Sequence, residues 1–192
     1  MSRDLYSRWF QDDSLTGPSK PSRGRTVAKS FRIDEDAVEA LQEEANSRAL
    51  SVNTLANQLF VSYANFGRHM RRLNGITLSE GAVNRLIQNV SEEVAIDAGK
   101  SLGKTSPQML MAMDGSSVTV GRVIEFIHNL SFCANWFQYT ETRDGEHWKI
   151  ILIHNLGRNW SQFIAHYING AFSSANCHPK YEITDRYVTF IV

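Results

Sequence analysis

The sequence predicts an α+β protein in which helices pack on an antiparallel sheet, preceded by a short strand–helix–helix segment. Three patterns lead to this fold class. Apolar residues recur every three or four positions over residues 160–172, as an amphipathic helix requires. Two strand-like runs, 136–143 and 147–154, flank Asp144-Gly145, a dipeptide favoured in two-residue hairpin turns. Residues 26–33 alternate in polarity with the period of a strand.

Composition restricts the classes of protein to which this chain can belong. Its 192 residues are 42% hydrophobic and 21% charged, which is enough apolar material for a packed core. No apolar run approaches the ~18–20 residues that span a bilayer, and the first residues lack the apolar segment of a signal peptide. The 2 cysteines lack the C-x-x-C spacing of zinc or redox sites. We therefore expect a cytoplasmic protein with no membrane association.

Charge is unevenly distributed although the formal net charge is zero. Basic residues with no acidic residue between them occupy positions 20 to 32, and they are Lys20, Arg23, Arg25, Lys29 and Arg32. Acidic residues dominate the next stretch, 34–44. The charge of each surface, rather than the total, therefore decides which partner it attracts.

Residues 1–24 are rich in Ser, Gly, Pro and Asp and show no period, so we predict a flexible basic arm. In the following segment, the strand predicted over 26–33 leads into a helix capped by Asp34. Ser51 caps a second amphipathic helix, which can extend to Leu73 and stop at Asn74-Gly75.

The rest of the chain divides into a helical connector, 75–117, and a C-terminal α+β domain, 118–192. In the connector, Ser79 and Ser91 are predicted to begin two helices, and Ser106-Pro107 a third. In the C-terminal domain, residues 150–153 are apolar on both faces, which predicts a central strand. Residues 181–192 are strand-like and are expected to lie in the sheet.

Residues 25–66 resemble the ribbon-helix-helix family of DNA-binding repressors. The resemblance is carried by Ser30-Phe31-Arg32-Ile33-Asp34-Glu35 at the strand and helix entry, by Ser51-Val52-Asn53-Thr54 at the second helix, and by the helix length between them. One strand and two short helices bury too little surface to be stable alone, whereas two copies can pair their strands into a ribbon. The sequence departs from the family pattern at two places. Lys29 occupies an inward register where an apolar residue is usual, and the break Arg48-Ala49-Leu50 lacks the glycine or asparagine common there.

The resemblance implies a ribbon-helix-helix DNA-binding domain over 25–74. It implies a sequence-specific transcriptional regulator, expected to be a repressor, that binds double-stranded DNA at the nucleoid as a homodimer or higher even-numbered oligomer. The outward strand residues would read bases in the major groove, and these are Ala28, Ser30 and Arg32. Other groups would contact the DNA backbone, and these belong to Arg23, Arg25, Lys29, Ser51, Val52 and Asn53.

The C-terminal half carries no recognisable catalytic or metal-binding motif. His128, His147, His154, His166 and Cys177-His178 lack the spacing that hydrolases or zinc sites require. We therefore expect no catalytic residue, metal or cofactor, and assign 118–192 to sensing a small-molecule effector or to oligomerisation. One alternative is an antitoxin-like protein that binds and blocks a partner protein, and another is an enzyme housed in this half.

Overall fold

The computed structural model describes residues 27–112, 115, 117–144 and 147–192, and the chain divides into two compact units, 1–40 and 41–192. Residues 27–34 have neither helical nor strand hydrogen bonding and are exposed. Over the described residues 27–33, the single chain therefore does not form the strand that was predicted to pair with a second copy. Because a strand needs a neighbour for its N–H and C=O groups, it could form here only with a partner such as a second copy.

Helix α1 spans Glu35–Ser47, and the acidic residues Glu35 and Asp36 in its first turn suit the positive end of the helix dipole. The chain leaves this helix through Ala49, whose φ of 55° lies in the left-handed region. The N–H of Leu50 donates to the carbonyl of Ala45 at 2.8 Å, which closes the helix end.

The second predicted helix is confirmed, and it contains a change of helix type. Helix α2 (Val52–Ser62) continues without a break through a π-helical segment (Tyr63–Gly67) into α3 (Arg68–Arg72). It stops at the predicted place, because Asn74 adopts a left-handed φ of 54°.

The connector contains two helices, and the separate third helix predicted at Pro107 is wrong. Helix α4 (Glu80–Ile87) begins at Ser79 as expected, and the Ser79 side chain accepts a hydrogen bond from the N–H of Ala82 at 3.3 Å. Helix α5 (Glu92–Ala112) runs through Pro107. Close packing of α5 along α7 (Gly157–Ser174) offsets the ~3 kcal/mol cost of an interior proline.

The C-terminal part combines helices with a four-stranded antiparallel sheet, as predicted. Helix α6 (Val120–Ala134) precedes the hairpin of β1 (Gln138–Asp144) and β2 (His147–Ile153). Helix α7 then leads to β3 (Lys180–Ile183) and β4 (Tyr187–Ile191), and the strand order is β1-β2-β4-β3. The predictions of a central β2 and of a strand near residue 192 are both confirmed.

The core lies between one face of this sheet and the helices. The fully buried side chains on that face come from β2 and β4, and they are Ile150, Leu152, Val188 and Phe190. Helix α7 supplies Ile164, Ile168 and Phe172 to the same cluster. Within the described part of the chain, no helix has the length and apolar character needed to cross a membrane.

Candidate nucleic-acid interface

The residues predicted to read bases lie in an exposed segment without regular structure. Ala28, Ser30 and Arg32 are exposed, as is Lys29, which was predicted to contact the DNA backbone. Arg23 and Arg25 lie outside the described residues. The single chain therefore leaves these polar and basic side chains accessible to a partner.

The other side of the same segment is equally exposed, and it carries apolar side chains with Lys29 in register between them. Val27, Phe31 and Ile33 expose 69%, 64% and 50% of their surfaces. Burial of such a side chain typically stabilises a protein by about 1.5–3 kcal/mol. Their exposure in the single chain indicates that this side gains stability from being covered.

Ser51 forms the predicted cap of α2. Its backbone is extended, and its Oγ accepts a hydrogen bond from the N–H of Thr54 at 3.1 Å. The carbonyl of Ser51 accepts from the N–H of Leu55 at 3.0 Å. Among the described residues, no acceptor is found for the N–H groups of Val52 and Asn53. These two N–H groups, predicted to bind a phosphate, are therefore left at the positive end of the helix dipole.

Helix α2 has two apolar faces, which the periodicity of the sequence did not separate. Leu55 is buried, and Phe66 in the π-helical segment joins the main core. Leu59, at the edge of this buried stripe, and Phe60 and Tyr63 beyond it each expose about half of their surface. The buried side attaches α2 to its own chain, and Leu59 and Tyr63 leave apolar surface exposed to solvent.

Acidic and basic residues in this region occupy different helices. Helix α1 carries the acidic stretch, and Glu44 near its end forms an ion pair with Arg48. From Ala45 to Ser79 the sequence contains no acidic residue. The helical run that begins at Ser51 therefore has no negative side chain to repel a phosphate.

His154 and Ser161 form a buried hydrogen-bonded pair in the C-terminal part. The Oγ of Ser161 lies 2.9 Å from Nε2 of His154, and Nδ1 of His154 accepts from the N–H of Leu156 at 3.2 Å. Burial lowers the pKa of His154 to about 4, so the ring is neutral at pH 7. Its proton then lies on Nε2 and is donated to Ser161. A nucleophilic serine must instead give its proton to a base, so this arrangement does not activate Ser161. The hydrogen bond holds the loop after β2 against α7.

Several aromatic residues of the C-terminal part pack against one another. The rings of Trp136 and Trp160 lie 5.5 Å apart, and those of Trp160 and Phe163 lie 5.1 Å apart. Tyr167 is buried beside them, with its ring 5.7 Å from that of Phe163. These aromatic residues therefore fill space between helices. Within the described ranges, no three His, Cys, Asp or Glu side chains converge as a metal site would require.

A polar cleft of about 270 Å³ opens between the end of α4 and the start of α7. Asn159 joins its two walls, because its Nδ2 donates to the carbonyl oxygens of Ile87 at 3.3 Å and Val90 at 2.8 Å. Arg158 at the rim lies 3.5 Å from Glu92 and 3.8 Å from Asp185. The cleft has room for a small polar molecule. The guanidinium group of Arg158 already has the carboxylates of Glu92 and Asp185 as counter-charges.

Comparisons with protein-family models, with curated proteins and with solved structures found no match to this chain.

Proposed function

We propose that the protein is a sequence-specific DNA-binding transcriptional regulator that acts as a dimer or a higher even-numbered assembly. Residues 26–33 of two copies would pair as antiparallel strands and enter the major groove as a ribbon. A two-stranded ribbon fits the major groove, where every base pair presents a distinct set of hydrogen-bonding groups.

One observation carries the proposal: an exposed segment of alternating polarity is followed by α1 and then by α2, which Ser51 caps. Val27 and Ile33 on its apolar side are exposed in the single chain. Pairing with the same segment of a second copy would bury that side and complete the backbone hydrogen bonds. The exposed Leu59 and Tyr63 of α2 would be covered in the same event. Dimerisation would thus complete the fold of this region.

The opposite side of the ribbon would then face the bases. Arg32 can bond guanine O6 and N7 together, which typically discriminates between bases by about 1–3 kcal/mol. Ser30 can donate or accept a hydrogen bond, and Ala28 offers a methyl contact. Lys29, together with Arg23 and Arg25, would add attraction to phosphate that weakens as salt rises.

The N-terminus of α2 would hold one backbone phosphate. The N–H groups of Val52 and Asn53 are oriented along the helix axis, and the Ser51 cap fixes the first turn around them. Such a contact fixes the position of the protein on the duplex but does not read the sequence.

The test combines selection of bound sequences from random duplex DNA with a mass measurement by light scattering. We expect a palindromic consensus and an even-numbered assembly. In fluorescence anisotropy, Arg32→Ala should relax sequence preference, whereas Lys29→Ala should weaken binding to all duplexes about equally. A monomer with no selected consensus would overturn the proposal, and co-purification of an unrelated protein in its place would favour the antitoxin-like alternative.

A further inference from the structure

The helical run from α2 to α3 carries no acidic residue at either end. Backbone angles at Ser62, Gly67 and Arg68 are all right-handed helical, so the run is not interrupted where its hydrogen-bonding type changes. At ~1.5 Å per residue, the distance along it from Ser51 to Arg71 is about 30 Å. The cap at Ser51 and the arginines of α3 are therefore separate surfaces.

Arg71 and Arg72 present exposed guanidinium groups without counter-charges. Neither forms an ion pair with any residue that the structure describes. The guanidinium carbon of Arg71 lies 5.9 Å from the centre of the Tyr63 ring, which restricts its orientation. His69, which lies between Tyr63 and Arg71 in the sequence, is only 1% exposed and anchors this turn of the helix in the interior. Arg71 is thus restricted in its orientation, and both arginines are exposed to solvent.

We propose that Arg71 and Arg72 form a second phosphate-binding surface that takes a second DNA duplex, so that one assembly bridges two DNA segments. This inference rests on the proposed function. A phosphate bound by the N–H groups of Val52 and Asn53 lies on the axis of α2, because those groups point along it. The helical run from α2 to α3 therefore extends away from the first duplex, and Arg71 and Arg72 lie at its far end.

The distance excludes a contribution of these arginines to that first phosphate. About 30 Å is roughly three Debye lengths at 0.1 M salt, so their charge is screened from it. Guanidinium groups are planar donors that bind phosphate oxygens in pairs, which lysine does not do. A second duplex supplies such oxygens in a regular array, and the helical run itself has no acidic side chain from Ala45 to Ser79 to oppose its approach.

The experiment measures capture of one duplex by another. A biotinylated duplex carrying the selected consensus is held on beads and loaded with the full chain, and a fluorescent duplex of unrelated sequence is added. We expect the wild-type protein to retain the fluorescent duplex. The double variant Arg71→Gln/Arg72→Gln should retain at least tenfold less, while its affinity for the consensus duplex in anisotropy changes less than twofold. Arg71→Lys/Arg72→Lys should give an intermediate result.

The matched control is Arg85→Gln/Lys104→Gln, which removes two exposed positive charges from α4 and α5 and should leave capture unchanged. Circular dichroism of every variant should match the wild type. Capture that persists in Arg71→Gln/Arg72→Gln would overturn the inference, and so would equal loss of both duplexes. If the wild type binds the consensus but captures nothing, bridging fails and the proposed function stands. If it binds no duplex, the proposed function itself fails.

Discussion

Gly103 of α5 and Gly170 of α7 are in direct backbone contact. A Cβ atom built at Gly170 would lie 2.6 Å from the carbonyl carbon of Gly103, and one built at Gly103 would lie 2.5 Å from the carbonyl oxygen of Tyr167. One turn earlier, a Cβ atom built at Gly99 would lie 2.5 Å from the carbonyl oxygen of Phe163. The two helices therefore cross at a separation that only glycine permits.

Gly103→Ala should destabilise the protein by about 1–3 kcal/mol, as is usual when a packed interior must expand. The obstacle is backbone, so no side chain can move aside, and the loss should exceed the ~1 kcal/mol that alanine gains in helix propensity. Urea denaturation followed by circular dichroism measures the effect. Gly121→Ala in α6 is the control, since its Cβ meets nothing within 4 Å, and it should be neutral or stabilising. Equal stability of the two variants would show that the helices can separate without cost.

Ala49→Gly should stabilise the protein by about 1 kcal/mol. Ala49 has a φ of 55°, a conformation that costs a residue with a Cβ about 1–2 kcal/mol and glycine almost nothing. The thermal unfolding midpoint should therefore rise. Ala56→Gly, placed inside α2, should lower it by a similar amount because glycine is a poor helix former. A fall in the midpoint for both variants would contradict the left-handed assignment at Ala49.

Stability should decrease as the pH falls from about 6.5 to about 4. Burial lowers the pKa of His154 from its ordinary 6.5 to about 4, so in this range the unfolded chain binds a proton that the folded protein does not. One such proton changes the free energy of unfolding by at most about 1.4 kcal/mol per pH unit. Below pH 4 this histidine has no further effect.

His154→Asn isolates that contribution, since the asparagine oxygen can still accept from the N–H of Leu156. Its urea midpoint should fall less between pH 7 and pH 4.5 than the wild-type midpoint does. Burial also lowers the pKa values of His128 and His166, but both residues are present in each protein and cancel in the comparison. Parallel pH profiles would show that the pKa of His154 is not lowered in the folded protein.

Leu59→Asp should weaken self-association. Leu59 exposes 50% of its surface on the side of α2 that does not enter the core, and a carboxylate there would be costly to bury between two copies. Sedimentation equilibrium should shift from twice the 21.7 kDa chain mass, or a higher even multiple, towards the single chain. Leu86→Asp, at a 63% exposed position of α4, is the control and should not change the mass. A wild-type chain that is already monomeric would refute the expected dimer.

Sequence patterns predicted the elements whose causes are local. The caps at Ser51 and Ser79, the stop at Asn74 and the hairpin at Asp144 each depend on a few neighbouring residues. Pro107 misled the prediction because its local preference for a helix start is overruled by packing of α5 against α7. That packing depends on residues more than fifty positions away, which no periodicity reveals.

The candidate interface was predictable to a similar, limited degree. The N-terminus of α2, which we propose as a phosphate site, follows from a cap motif, and the structure forms that cap. The strand over 26–33 depends on a partner outside the chain, so its base-reading residues, with Arg32 foremost, stay predictions. The partly buried side of α2 and the pairing of His154 with Ser161 were not foreseen, because each depends on how distant or loop-connected segments fold together.

The placement of β4 determines the order in which the sheet can assemble. The hairpin of β1 and β2 closes between neighbours in sequence, whereas β4 must return across the whole of α7 to pair with β2. Strand β3 pairs only with β4. Closing the long loop costs chain entropy before any contact is gained, so β3 and β4 should join as a unit in a late, slow step. A lesion in β4 would then detach half of the sheet, while the first hairpin stays intact.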